Sequence, residues 1–206
     1  MLDSLNDRLL FAVPKKGRLH QQCLDLLSGS DIQFHRNNRL DIALVKNLPL
    51  ALIFLPAADI PTFIGEGRVD LGITGRDQVA EHEASTPHTE TTGVLEIMDL
   101  GFGTCKLQVQ VPEKGDIDRP EQLIGRNIVT SFTQLAEQYF RNLESQQKST
   151  GQANGTSGTK LRTHIKFVGG SVEAACALGV ADGIVDLVGT LRLNPLPFPP
   201  SLLHTH

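Results

Sequence analysis

Lys15, Lys16 and Arg18 crowd around Gly17 in the stretch VPKKGRL, residues 13–19. Three cations at the carboxyl end of a strand-like apolar run suit an anionic ligand such as a nucleotide phosphate, and the glycine lets the backbone approach it closely. A solvated basic turn accounts for the same residues, and the stretch alone does not choose between the two. In GITGRD, residues 72–77, an apolar run ends in Thr74 and Gly75, with Asp77 just beyond. A hydroxyl and free amides at a helix N-terminus seat an anion or a polar ligand. A capped helix after a tight turn explains them equally well.

Further along, VTSF (129–132) and VGGSVEAACALG (168–179) each read as strand, polar turn and helix. Ser131 and Ser171 are natural N-caps, and Gly170 lies in the second of these turns. Glu173 falls in the first turn of its helix, where the dipole favours a carboxylate with or without a function. Asp182 and Asp186 flank or sit within the apolar run GIVDLV. A carboxylate inside such a run is costly unless it is paired, hydrogen-bonded or near solvent. Asp186 therefore either supports the loop that follows or faces a ligand.

These residues need a frame. The runs LLFAV, DIALV, ALIFL, DLGIT, LQVQV, NIVTS, HIKFV and GIVDLV read as strands, with helical patterns between several of them. In SFTQLAEQYFRNLE the apolar residues Phe132, Leu135, Ala136, Tyr139, Phe140 and Leu143 recur at helical spacing, and Ser131 with Gln134 offers a capping box. Such alternation predicts an α/β architecture with mainly parallel sheet. GEGRVDLGITG (65–75) and LGVADGIVDLV (178–188) echo each other loosely, each running from a glycine through an aspartate into a buried strand. With the antiparallel-looking CKLQVQVPEKG, this points to two similar lobes meeting near DLGFGT, residues 99–104. EHEASTPHTETTG (81–93) and ESQQKSTGQANGTSGTK (144–160) lack apolar periodicity and are expected as mobile surface segments.

Composition narrows the field. The 206 residues are 40% hydrophobic and 20% charged, enough for a real core. A net charge of −4 without a basic block argues against a nucleic-acid partner. LPLALIFLPAA is too short and too proline-rich to span a bilayer, and no secretory leader precedes it. Three scattered cysteines suit a reduced, cytoplasmic chain, and no histidine pairing outlines a metal cage. GTSGTK (155–160) fails the P-loop spacing, and GFGTCK is followed by a strand where a dinucleotide loop needs a helix.

With FAVPKKGRL, RLDIAL, FLPAADIPTFIGEGRVDLGITGRDQV, CKLQVQVP, PEQLIGRNIVTSF, IKFVGGSVEAACALGVAD and IVDLV in hand, the chain resembles the ATP phosphoribosyltransferases, glycosyltransferases that open histidine biosynthesis. The resemblance runs from Arg8 to Val188, and Glu173, Gly179, Ala181, Ile184, Asp186 and Val188 match the family pattern in order. It implies a two-lobed fold similar to type II periplasmic binding proteins, with the active site in the cleft. There N1 of ATP attacks C1 of phosphoribosyl pyrophosphate, displacing pyrophosphate with Mg²⁺ present. Homo-oligomers, dimers or hexamers, come with the family. By resemblance Glu173, Asp182 and Asp186 form the catalytic set. Lys16, Gly17, Arg18, Thr74, Gly75 and Asp77 would bind substrate on the nucleotide side, and Ser131, Gly170, Ser171 and Thr190 on the phosphoribosyl side. The expected division is 1–101 for the nucleotide lobe, 102–190 for the phosphoribosyl lobe and 191–206 for a proline-rich tail.

That tail departs from the family. Three residues past Val188 the pattern asks for Ser or Thr followed by Gly, a loop that cradles the 5′-phosphate, and this chain has Leu191 and Arg192. The expectation is a chain lacking the C-terminal part of its first lobe, truncated by an intron or frame error and impaired in turnover. The competing reading is a two-lobed ligand-binding module that shares the fold without catalysis.

Overall fold

The computed structural model describes residues 5–37, 40–86, 89, 93–149 and 160–188. The chain divides into two compact units, Met1–Gly103 and Thr104–His206.

In the first unit β1 (Leu9–Pro14) leads through α1 (His20–Gly29) and the short β2 (Ile42–Leu44) to β3 (Leu50–Leu55). The chain continues into α2 (Ile60–Gly65), β4 (Leu71–Gly72) and α3 (Arg76–Ser85). The sheet order is β2-β3-β1-β4, with β3 and β4 parallel to β1 and β2 antiparallel at the edge. The strand β1 is a continuous apolar run because both its faces are covered. Val13, Leu52 and Phe54 pack with Cys23 and Leu27 of α1, while Ala12 packs with Ile60 of α2.

The second unit runs β5 (Lys106–Gln110), a short 3-10 helix, β6 (Asn127–Thr130), α4 (Thr133–Ser149), β7 (His164–Phe167), α5 (Glu173–Ala177) and β8 (Gly183–Val188). Its order is β5-β8-β6-β7, with β7 and β8 parallel to β6 and β5 antiparallel to β8. The helical spacing read for α4 holds: Phe132, Leu135, Ala136, Tyr139 and Phe140 are all buried. The expected capping box is displaced. The helix begins at Thr133, so its flanking position is Phe132 rather than Ser131. Thr130 Oγ accepts the Phe132 N–H at 2.9 Å and donates to Val185 O at 2.6 Å.

The loose echo between the two glycine–aspartate stretches is a structural repeat. After α2, Gly67 (φ +66) donates to Ile64 O and Arg68 to Phe63 O. After α5, Gly179 (φ +68) donates to Cys176 O and Val180 to Ala175 O. Both are left-handed helix endings that favour glycine. Three residues on, Asp70 Oδ2 accepts Leu10 N–H at 2.7 Å and Asp182 Oδ2 accepts Asn127 N–H at 3.0 Å. The arrangement β3-β1-β4 therefore recurs as β7-β6-β8, with the antiparallel strand added on opposite flanks.

Two segments expected as mobile loops are partly helix. Residues 81–85 complete α3, and 144–149 complete α4. Polar composition misled there because an exposed helix face is polar too. The remainder of both segments, apart from Thr86, Thr89, Gly93 and Lys160, lies outside the described residues.

Candidate functional site

At the carboxyl edge of the first sheet, the turn after β1 is fixed from within. Gly17 takes φ +90, and His20, whose N–H bonds Gly17 O at 3.2 Å, sets Nδ1 2.6 Å from Pro14 O. A carbonyl only accepts, so Nδ1 carries the proton. Lys15 faces Asp41 at 3.7 Å, and Arg18 Nη2 lies 3.2 Å from Oδ1 of the buried Asp77. Arg18 Nη1 also donates to Gly103 O. Lys16 is exposed and has no recorded partner among the described residues, which leaves it the available cation of the turn.

The turn after β4 is likewise occupied. The Thr74 hydroxyl donates to Ala57 O at 2.8 Å, joining the loops that follow β4 and β3. Gly75 flanks α3, and a Cβ there would meet Asp77 Oδ1 at 2.2 Å. The glycine makes room for a carboxylate that folds back over the helix start, where the dipole favours negative charge. Asp77 Oδ2 also accepts from Gln78 Nε2 at 3.0 Å. The structure thus brings Lys16, Gly17, Arg18, Thr74, Gly75 and Asp77 to one edge, with Arg18 and Asp77 engaged to each other.

In the second unit Ser131 follows β6, Gly170 and Ser171 follow β7, and Asp186 lies in the last half of β8, so parallel pairing gathers them at one edge. Gly170 takes φ +153 and Ser171 φ +50. Ser171 is not the side-chain cap expected of it: Val172 flanks α5, and Ser171 instead accepts the Ala174 N–H on its carbonyl at 3.1 Å. A non-glycine residue in the left-handed region costs about 1 kcal/mol or more and points to function when nothing local demands it. Ser171→Gly should accordingly raise stability by about 1 kcal/mol, read from denaturant midpoints. An unchanged or lowered midpoint would show the hydroxyl to be structural.

Glu173 sits in the first turn of α5 beside Asp186. Burial, joined by the neighbouring Glu173 charge, pushes the Asp186 carboxyl above the usual range, against a hydrogen bond from Leu187 N–H at 2.8 Å. Asp182 does not join them. It stands at the amino end of β8, four residues and about 13 Å from Asp186 along the strand. There Asn127 N–H, opposed by desolvation and aided by Arg126 at 3.3 Å, holds its carboxyl below the usual range. Thr190, expected at the same edge as Asp186, lies outside the described residues.

The two aspartates have opposite linkage. A depressed folded pKa contributes stability above the ordinary carboxylate value and loses it as pH falls through the folded value. A raised one favours the neutral form, so its contribution is complete below the ordinary value and is lost as pH rises through the folded value. At pH 7 Asp182→Ala should therefore destabilise, by about 1 kcal/mol given a carboxylate a third exposed, while Asp186→Asn should stabilise. Urea melts at pH 7 and pH 4 measure both; the same sign of change at pH 7 would refute the assignment.

His20 and Thr130 escaped the sequence reading. The contact of His20 Nδ1 to Pro14 O and that of the Thr130 hydroxyl to Val185 O are ones that no local spacing announces.

The family profile described as ATP phosphoribosyltransferase matches residues 56–197. The ATP phosphoribosyltransferase of Yarrowia lipolytica is 63% identical over 188 residues, covering 91% of this chain and 57% of that protein. The Schizosaccharomyces pombe protein of the same name is 60% identical over 188 residues, covering 91% of this chain and 59% of its own length. Among solved structures, an ATP phosphoribosyl transferase (HisG:HisZ) complex from Thermotoga maritima matches with a TM-score of 0.63 at 22% identity, covering 92% of this chain and 82% of that one; this likeness shows the fold. The chain spans somewhat over half the length of these curated relatives.

Proposed function

The chain belongs to the ATP phosphoribosyltransferase family, and from that membership we propose that it transfers the phosphoribosyl group of phosphoribosyl pyrophosphate to N1 of ATP, the first step of histidine biosynthesis. The N1 lone pair forms the new bond to C1 as the bond from C1 to the pyrophosphate oxygen breaks, and its electron pair leaves with pyrophosphate. The observation that carries this reading is the family match across 56–197, which runs through Thr74, Ser131, Glu173 and Asp186.

On this reading ATP docks at the edge carrying Lys16, whose ammonium meets a phosphate, and the Thr74-Gly75 turn lies beside it. The phosphoribosyl substrate docks at the second unit's edge, where Glu173 and Asp186 accept its ribose hydroxyls. Two neighbouring carboxylates that repel each other also suit a hard cation brought in by substrate phosphates. Among the described residues no cluster of three or more His, Cys, Asp or Glu would hold such an ion alone. Mg²⁺, if bound there, would supply positive charge to offset that of the departing pyrophosphate. On this reading Asp182, which ties β8 to β6, has a structural task, and the catalytic role is proposed for Glu173 and Asp186. The site of action is proposed as the cytoplasm, and among the described residues no helix is long and apolar enough to cross a membrane. A homo-oligomer is proposed as well, and light scattering reads it directly.

Separate titrations with ATP and phosphoribosyl pyrophosphate, followed by a pyrophosphate-release assay, test the reading. Binding of neither substrate would refute it; binding of both without release would move the chain to the non-catalytic module. Lys16→Ala should weaken ATP binding roughly tenfold and leave the melting temperature unchanged, since a charge-assisted contact is lost and no internal bond is. Arg18→Ala should instead lower stability by about 1.5–3 kcal/mol, because it strips a partner from buried Asp77. A melting temperature unaffected by Arg18→Ala would return that guanidinium to ligand binding.

A further inference from the structure

Gln108 of β5 pairs directly with Asp186 of β8 in the antiparallel register. Residues directly opposite in such a pair present their side chains on one face. That face also carries Ile184, two residues from Asp186, against which Val172 and Ala175 pack as α5 crosses the sheet. Gln108 Oε1 is buried and has no hydrogen-bond partner among the described residues. A buried amide oxygen without a donor is costly, and such an orphan calls for a physical reason.

The residue paired with Gln108 is an acceptor, and the charge of a second carboxylate acts on it. Asp186 and Glu173 are carboxylates, and Asp186 already draws a bond from its neighbour's Leu187 N–H. Among the described residues no hydrogen-bond donor reaches Gln108 Oε1. A ligand with adjacent hydroxyl groups would fill that need, each hydroxyl donating to one acceptor. Phosphate groups would not, because they bring further acceptors.

We propose that Gln108 is a specificity-determining residue of the second unit, whose Oε1 accepts a hydrogen bond from a ribose hydroxyl of the phosphoribosyl substrate, alongside the two carboxylates. This rests on the function proposed above. It gives the antiparallel edge strand a part in recognition: β5 carries the acceptor that completes the set begun by α5 and β8.

Gln108→Met keeps the length of the side chain and removes the acceptor. Calorimetric titration of the full chain should show phosphoribosyl pyrophosphate bound about tenfold more weakly, the usual effect of one such bond, with ATP binding unchanged. The melting temperature should hold or rise, since an orphaned oxygen is replaced by an apolar group. Ribose 5-phosphate and its 2-deoxy and 3-deoxy analogues locate the contact: the penalty that wild type shows for one missing hydroxyl should vanish in the variant. Equal affinity of wild type and Gln108→Met overturns the proposal alone. A lowered melting temperature overturns it too, by making Gln108 structural. If wild type binds no phosphoribosyl pyrophosphate, the parent reading and this proposal both fall.

Discussion

Glu144→Ala should lower the stability of the second unit by about 3–5 kcal/mol, because three donors lose their acceptor at once. Glu144 is 7% exposed, and its carboxylate receives Arg162 N–H at 3.1 Å, Thr163 N–H at 3.0 Å and the Thr163 hydroxyl at 2.9 Å. Thr163 is itself buried, so its amide and hydroxyl would find no water in place of the carboxylate. The segment it holds enters β7, and β7 delivers Gly170 and Ser171 to the candidate site. At roughly 4 °C or more per kcal/mol for a domain of this size, the melting temperature should fall by about 12 °C or more. Glu144→Gln, which keeps an acceptor oxygen, should recover much of that loss. A fall of only about 1 kcal/mol in the alanine variant would mean that water reaches the site and that the carboxylate is dispensable.

Nothing in the stretch around Glu144 announced this role. It lies where the sequence turns polar, and polarity there reads as a loop; the partners stand 18 and 19 residues away. The eight strands among the described residues were legible because each falls in a short, largely apolar run bounded by turn residues, and α4 because its apolar residues recur at helical spacing. The candidate edges were legible in outline for a topological reason. Parallel strands carry the residues that follow them to one side of the sheet, so Thr74, Ser131 and Ser171 could be placed without coordinates. What local pattern could not supply was which polar group spends its bonds inside the protein. Arg18 and Lys16 look alike in sequence, yet Arg18 holds Asp77 while Lys16 has no partner among the described residues. Asp182 and Asp186 are four residues apart and stand toward opposite ends of one strand. Only the pairing with Asn127 shows that Asp182 closes the sheet. Gln108 was invisible for the same reason, since its meaning comes from the strand opposite.

Replacing Leu191 and Arg192 by Ser and Gly should tighten phosphoribosyl pyrophosphate binding about a hundredfold, the effect of regaining roughly two charge-assisted hydrogen bonds. Both residues lie outside the described part of the chain, so the expectation rests on sequence and chemistry. A 5′-phosphate carries about two negative charges near neutral pH, by analogy with other phosphate monoesters. Small residues and hydroxyls let backbone amides reach its oxygens, and the family pattern has Ser or Thr followed by Gly where this chain has Leu191 and Arg192. An arginine offers charge, but a side chain of that bulk does not permit the close backbone approach that glycine does. Leu191 offers neither donor nor charge. On the proposed function, binding energy at the phosphate would also orient C1 toward its nucleophile, so the exchange should raise the rate of pyrophosphate release as well as affinity. The single exchanges separate the two contributions: Arg192→Gly alone trades a charge for access, and Leu191→Ser alone adds one hydroxyl. Calorimetry with phosphoribosyl pyrophosphate, set against ribose bearing no phosphate, isolates the phosphate's share. If the double variant binds both ligands as wild type does, this stretch is not a phosphate seat in this protein, and Arg192 has no part in excluding the substrate.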